Sequence, residues 1–158
     1  MFFFALVGIV TLAAAALGRL GVPGLQTWPA RMRWGLSAGL LLAGLDHLVT
    51  PARYVPMIET FLPMAREFVL FTGACEIAGA IGLIVPRTRW LAAVMLAIYF
   101  VCVFPANVHN AVSGLSVDGL PDARWIYWVR LLFQPLIIWW ALFAGEVLAT
   151  GRRAAAVS

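Results

Sequence analysis

The sequence predicts an all-α fold, a polytopic bundle of transmembrane helices that forms a single domain over residues 1–158. Three observations predict it. Hydrophobic residues make up 63% of the chain and charged residues only 11%, against the roughly one quarter charged that a soluble domain uses to coat its surface. Five apolar stretches are long enough to cross a hydrocarbon core of about 30 Å at ~1.5 Å of helical rise per residue. The basic residues, all 11 of them Arg, cluster at the ends of those stretches, which is where topology signals belong. No basic stripe interleaved with aromatics exists, so the net charge of +4 is no argument for nucleic acid.

In chain order the predicted spans are residues 2–17, 34–49, 68–85, 90–108 and 126–148. The first gap contains Gly21, Pro23, Gly24 and Pro29, the second three prolines, and the third is a tight turn at Pro86 to Arg89. The fourth gap holds Ser113, Gly114, Ser116, Gly119 and Pro121. A cleavable signal is the alternative reading of the first span, because Ala13 to Ala16 offer small residues near its end. Its start, Met1-Phe2-Phe3-Phe4, lacks a basic n-region. Five spans with the N-terminus outside place Arg19, Arg31, Arg33, Arg87, Arg89, Arg152 and Arg153 on the cytoplasmic side, and Arg53, Arg66, Arg124 and Arg130 on the other. The expected location is therefore the cytoplasmic (inner) membrane, N-out and C-in.

In that topology the polar residues gather in the outer half. Asp46 and His47 end the second span, Glu76 lies near the middle of the third, Asn107 ends the fourth, and Arg130 and Gln134 open the fifth. The inner half reads as apolar scaffold. Ionisable groups in hydrocarbon cost about 2.5–3.5 kcal/mol each on insertion scales, so they face the bundle interior and pair. Spacing agrees: Gly35, Gly39 and Ala43 make a small-residue stripe that Asp46 and His47 continue, and Gly73, Glu76 and Gly79 share a face. Tyr127, Arg130 and Gln134 likewise fall on one side of the fifth span. Pro105 and Pro135 free carbonyls one turn earlier, near Val101 and Leu131.

Two readings of this cluster stand side by side. In one, Glu76 or Asp46 pairs with Arg130 and fixes helix register. In the other, the cluster lines a pocket for a polar head group, with Asp46, His47, Tyr54, Glu76, Asn107, Arg130 and Gln134 as its ligand-binding residues. Between the second and third spans, Tyr54, Met57, Ile58, Phe61 and Leu62 recur at helical spacing. They predict a short amphipathic helix over residues 51–63 in the outer interface, an anchor or a lid. Cys75 and Cys102 have no CxxC partner and read as small apolar residues. His47 and His109 lack the spacing of a metal motif, so no metal is expected.

The runs AGLDHLVTPARYVPMIETFLP (Ala43 to Pro63), TGACEIAGAIGLIVPRTRWLAA (Thr72 to Ala93), FPANVHNAV (Phe104 to Val112) and VRLLFQPLIIWWAL (Val129 to Leu142) resemble the DoxX-like family of small integral membrane proteins. Their order and spacing cover about the last three-quarters of the chain. The resemblance implies a four-helix DoxX-like core, with the first span as an addition. The positions it carries over are His47, Pro51, Tyr54, Glu76, Pro105, Asn107, Arg130 and Gln134. His47 is followed here by Leu48 where the family often has Phe. Relatives include the membrane subunit of a thiosulfate:quinone oxidoreductase, members of oxidative-stress complexes and receptor-assembly factors.

The expected function is thus a redox-linked membrane subunit binding a quinone or lipid head group, with quinone the one cofactor implied. A non-catalytic assembly or chaperone subunit is the second reading, and a proton-coupled transporter with Glu76 as carrier the third. No nucleophile–base pair or nucleotide loop points to catalysis within this chain alone. The expected partners are the lipid bilayer and a membrane or periplasmic protein, with self-association left open and nucleic acid excluded.

Overall fold

The computed structural model describes residues 2–60, 62–114 and 124–148. Five long helices account for most of them: α1 (Phe2–Arg19), α2 (Trp28–Val49), α3 (Ala65–Ile84), α4 (Arg89–Ser113) and α5 (Arg124–Ala144). Among the described residues, four helices are long and apolar enough to cross a membrane: Phe2–Arg19, Ala65–Ile84, Arg89–Ser113 and Trp125–Ala144. The predicted second span, now α2, does not reach that standard. It carries Arg31, Arg33, Asp46 and His47 within its 22 residues.

The reason α2 can be so polar is its place. It packs against α1, α3 and α5, and its Leu36 and Leu40 have no exposed surface at all. The other helices present apolar side chains outward: Leu12 is 67% exposed, Phe71 64% and Leu132 75%. Such a surface is stable against lipid tails rather than water. The core itself joins Leu36 and Leu40 to Ala80, Leu83, Ala93, Leu96, Phe100, Ile137 and Ala141, with Phe3 and Phe4 of α1 packed on its edge.

Contacts across each seam run in opposite order, so neighbouring helices are antiparallel. Thr11 meets Gly35 while Phe3 meets Gly39, and Ser37 donates to the Ala80 carbonyl while His47 meets Glu76. In the next seams Gly82 faces Ala92 and Gly79 faces Leu96, then Gly145 faces Ala93 and Asn107 faces Gln134. The result is an up-and-down bundle whose two ends are chemically distinct.

Small residues set the closest of these approaches. A Cβ on Gly44 would lie 2.7 Å from the Gly73 carbonyl oxygen, and one on Gly73 would lie 2.8 Å from the His47 Cβ. Neither backbone could give way cheaply, so glycine is required at both positions. The predicted stripe at Gly35 and Gly39 serves a different partner: it receives α1, through Val7, Thr11 and Phe3.

Several boundaries move. α2 begins at Trp28 instead of 34, because Thr27 caps it by accepting from the Ala30 N–H and Pro29 suits the first turn. α4 runs on to Ser113 and stops where Gly114 turns left-handed at φ 61°. α5 ends at Ala144 rather than 148, with Glu146 in the left-handed region at φ 62°. The amphipathic helix expected over 51–63 is replaced by two single 3-10 turns, Pro51–Arg53 and Val55–Met57. Pro56 has no N–H to give, and a segment this short lacks the flanking turns that carry α4 and α5 through Pro105 and Pro135. Phe61 and the turn formers Ser116, Gly119 and Pro121 lie outside the described residues, as do Arg152 and Arg153.

Candidate functional site

At the end of the bundle where α2 and α4 finish and α3 and α5 begin, the helices enclose a cavity of about 500 Å³. That is within the range of small-molecule sites. All seven residues singled out from sequence, Asp46, His47, Tyr54, Glu76, Asn107, Arg130 and Gln134, line it. Phe2, Phe3 and Phe4 of α1 form an aromatic wall, and Met57 and Ile58 of the proline-broken strap close over it.

Asp46 and His47 are consecutive on α2 and therefore point in different directions, each organising one group of partners. Asp46 ties down the strap. Arg53 Nη1 donates to its Oδ2 over 2.6 Å, Thr50 Oγ1 to its Oδ1 over 2.9 Å, and the Tyr54 hydroxyl also donates to Oδ2. Burial, together with donation to Asp46, pushes the Tyr54 phenol up to about 12, so it stays a neutral donor. The strap is thus tied by charge-assisted bonds to the end of α2.

His47 turns instead toward α3. Its Nδ1 lies 2.9 Å from Glu76 Oε2, and the Tyr99 hydroxyl donates to Glu76 Oε1 over 2.8 Å. The imidazole is held edge-on by the Tyr54 ring, with centroids 4.1 Å apart. Gly73, one turn before Glu76, is what lets His47 rest on the α3 backbone. Across the cavity, Asn107 Nδ2 donates to Gln134 Oε1 over 3.4 Å, and Gln134 Nε2 donates to the Phe100 carbonyl. That acceptor is one residue from the Val101 carbonyl that Pro105 was expected to free.

Arg130 is placed differently from the expectation that Glu76 or Asp46 would neutralise it. The two carboxylates are occupied by His47 and Tyr99, and by Arg53, Thr50 and Tyr54. Among the described residues Arg130 has no salt bridge or hydrogen bond, although it is half-buried and lines the cavity. The reason is geometric: Glu76 faces α2 and α4, and Asp46 faces the strap. A guanidinium with five donors is left to the space inside.

Tyr99, Thr72 and the three N-terminal phenylalanines also line the cavity, and sequence reasoning missed them. Tyr99 carried a usable signal, since a tyrosine in mid-span is out of place relative to the interfacial aromatic belts. Cys75 and Cys102 are both free thiols, and neither lines the cavity.

The opposite end of the bundle is not the plain apolar scaffold expected. Arg33, only 7% exposed, donates from Nε to the Ala144 carbonyl over 3.1 Å and lies 3.8 Å from Glu146. Arg89 lies 3.4 Å from the same carboxylate. Trp140 Nε1 donates to the Met32 carbonyl over 3.0 Å. A cation at the last carbonyls of α5 is where the helix dipole favours one. In sequence Arg33 looked like a flanking topology residue, because its α5 partner is 111 positions away.

Residues 36–145 match the model of a family described as a domain of unknown function, DUF8561. No curated protein and no solved structure matches the chain. The matched stretch runs from the buried middle of α2 through α5 and includes every cavity-lining polar residue named above. Covering more than half of the sequence, it establishes that the chain belongs to the DUF8561 family.

Proposed function

We propose that this chain is a five-span protein of the cytoplasmic membrane, N-out and C-in, whose outward-end cavity binds the polar head of a lipid-soluble ligand, a quinone or a lipid head group. In this reading it acts as a subunit of a redox system and not as an enzyme alone, and it is a distant member of the DoxX-like proteins. Six of the positions shared with them, His47, Tyr54, Glu76, Asn107, Arg130 and Gln134, are cavity-lining.

α2 supplies the fifth crossing. Its 22 residues reach about 33 Å at ~1.5 Å each, and its antiparallel neighbours α1 and α3 both have the length and apolarity of spans. Its charges are shielded by those neighbours from lipid.

One observation carries the functional reading: Arg130, a half-buried cation with no hydrogen bond or salt bridge among the described residues, lining a cavity of ligand size. A structural network would have spent this charge on a carboxylate, as it does for Arg53. A guanidinium whose donors meet no acceptor inside a bundle is costly unless something else supplies acceptors. A carbonyl or anionic head group does so.

The test is saturable binding of a short-chain quinone and of a phospholipid to the protein in lipid nanodiscs. Arg130→Ala should weaken binding of the true ligand class about 10- to 100-fold, the worth of one charge-assisted hydrogen bond. Saturable binding of both that is untouched by the substitution would sink the proposal.

A further inference from the structure

The Glu76–His47 pair specifies more than polarity. Tyr99 donates its hydroxyl to one Glu76 oxygen, and His47 Nδ1 lies against the other. An ionised carboxylate only accepts, so the Nδ1 of a neutral His47 carries the hydrogen and Nε2 keeps its lone pair. Nε2 makes no hydrogen bond among the described residues. The sealed side-chain atoms without partners there are Arg89 Nε and Asn110 Oδ1, so Nε2 retains open access, and the cavity is what His47 lines. One wall of the cavity therefore presents an acceptor whose tautomer is fixed from behind, beside the aromatic faces of Phe3, Phe4 and Phe100.

Resting on the reading of this cavity as a head-group site, we infer that the head group it takes bears a hydroxyl, of the phenol type, which donates to His47 Nε2. The ring lies among the phenylalanines, and Arg130 serves the ligand's oxygen lone pairs. Glu76 is then a positioning residue that acts through the imidazole and not by touching the ligand. The chemistry is one of recognition, with no bond formed or broken.

The probes are para-octylphenol and its methyl ether para-octylanisole, which share ring and chain and differ in the hydroxyl hydrogen. Binding of both is measured to the full-length protein in nanodiscs of one lipid composition. The ratio of the two affinities is compared between wild type, His47→Ala and Glu76→Gln, so that partitioning into the lipid cancels. Wild type should favour the phenol over the ether about five- to tenfold more than His47→Ala does, the worth of one net hydrogen bond.

Glu76→Gln is the sharper arm, and near-isosteric should His47→Ala not fold. Its amide oxygen can keep the Tyr99 bond while its N–H₂ faces Nδ1. That moves the imidazole hydrogen to Nε2 and should erase or reverse the preference. An equal ratio in all three proteins would overturn the hydroxyl inference while leaving a head-group site standing. Failure of both probes to bind saturably would overturn both.

Discussion

The two ends of this bundle use the same kinds of side chain to opposite effect. At one end the buried Arg33 donates to the Ala144 carbonyl of α5, and Arg33 and Arg89 both lie against the Glu146 carboxylate. At the other end the half-buried Arg130 lines the cavity while the carboxylates that share it, Asp46 and Glu76, are bonded to other groups. Charge within the bundle does not by itself mark a site. What separates the two is whether the guanidinium is paired with a carboxylate, as Arg33 and Arg89 are with Glu146, and whether a cavity of about 500 Å³ stands before it.

The comparison can be broken by substitutions that should act on one end only. The largest effect is expected at the seam that builds the cavity end. Gly73→Val would drive a Cβ to within 2.8 Å of the His47 Cβ and 2.9 Å of the Gly44 carbonyl oxygen. Overpacking of this kind costs about 3 kcal/mol, and denaturant titration in detergent micelles should show it together with loss of ligand binding.

Arg33→Met should come next. It removes a buried hydrogen bond and one arm of the Glu146 pair, at about 1–3 kcal/mol, and should leave binding at the far cavity unchanged. Arg130→Met should do the reverse, weakening binding about 10- to 100-fold without lowering the unfolding midpoint, since no hydrogen bond or salt bridge among the described residues is lost. If Arg130→Met destabilises as much as Arg33→Met does, the distinction between a spent and an unspent charge fails.

Tyr54→Phe tests the strap. It deletes the hydroxyl bond to Asp46 while Arg53 and Thr50 remain, and should cost about 1 kcal/mol. The same residue gives a pH signature. Its phenol is raised to about 12 in the folded protein, from about 10 when unfolded. The stability it contributes is therefore complete below about pH 10 and is lost as pH rises through 12. Spectrophotometric titration should show a tyrosine ionising late that is missing in Tyr54→Phe. The smallest effect belongs to Cys102→Ala, an exposed free thiol that does not line the cavity, expected within about 0.5 kcal/mol of wild type.

Much of this was legible in the sequence, because apolar runs and helical spacing both constrain where a polar side chain can go. Asp46, His47, Glu76 and Arg130 had to face inward once their helices were taken to cross lipid, and they do line one cavity. Pairing was not legible. Spacing gives the face of a helix but not its rotation against a neighbour, so Arg130 was matched with carboxylates that turn out to serve His47, Tyr99 and Arg53. The burial and partners of Arg33 are not legible for the same reason, its acceptor lying in a helix far along the chain. Pro56 was legible in principle: a proline inside a helical pattern breaks it, yet the amphipathic periodicity of Tyr54, Met57 and Ile58 spoke for one continuous helix where two short turns stand.

The helix α1 gives the cavity a further property. It lies outside the stretch matched by the family, but Phe2, Phe3 and Phe4 provide one whole side of the enclosure. Without that helix the same polar residues would form a furrow open sideways to the acyl chains, and a ligand could slide in from the bilayer. With it, that side is walled by aromatic rings, and a ligand of the proposed kind would enter there only as the rings of a glycine-seated helix give way. Residence time, more than affinity, is what such a wall would set for the proposed ligand.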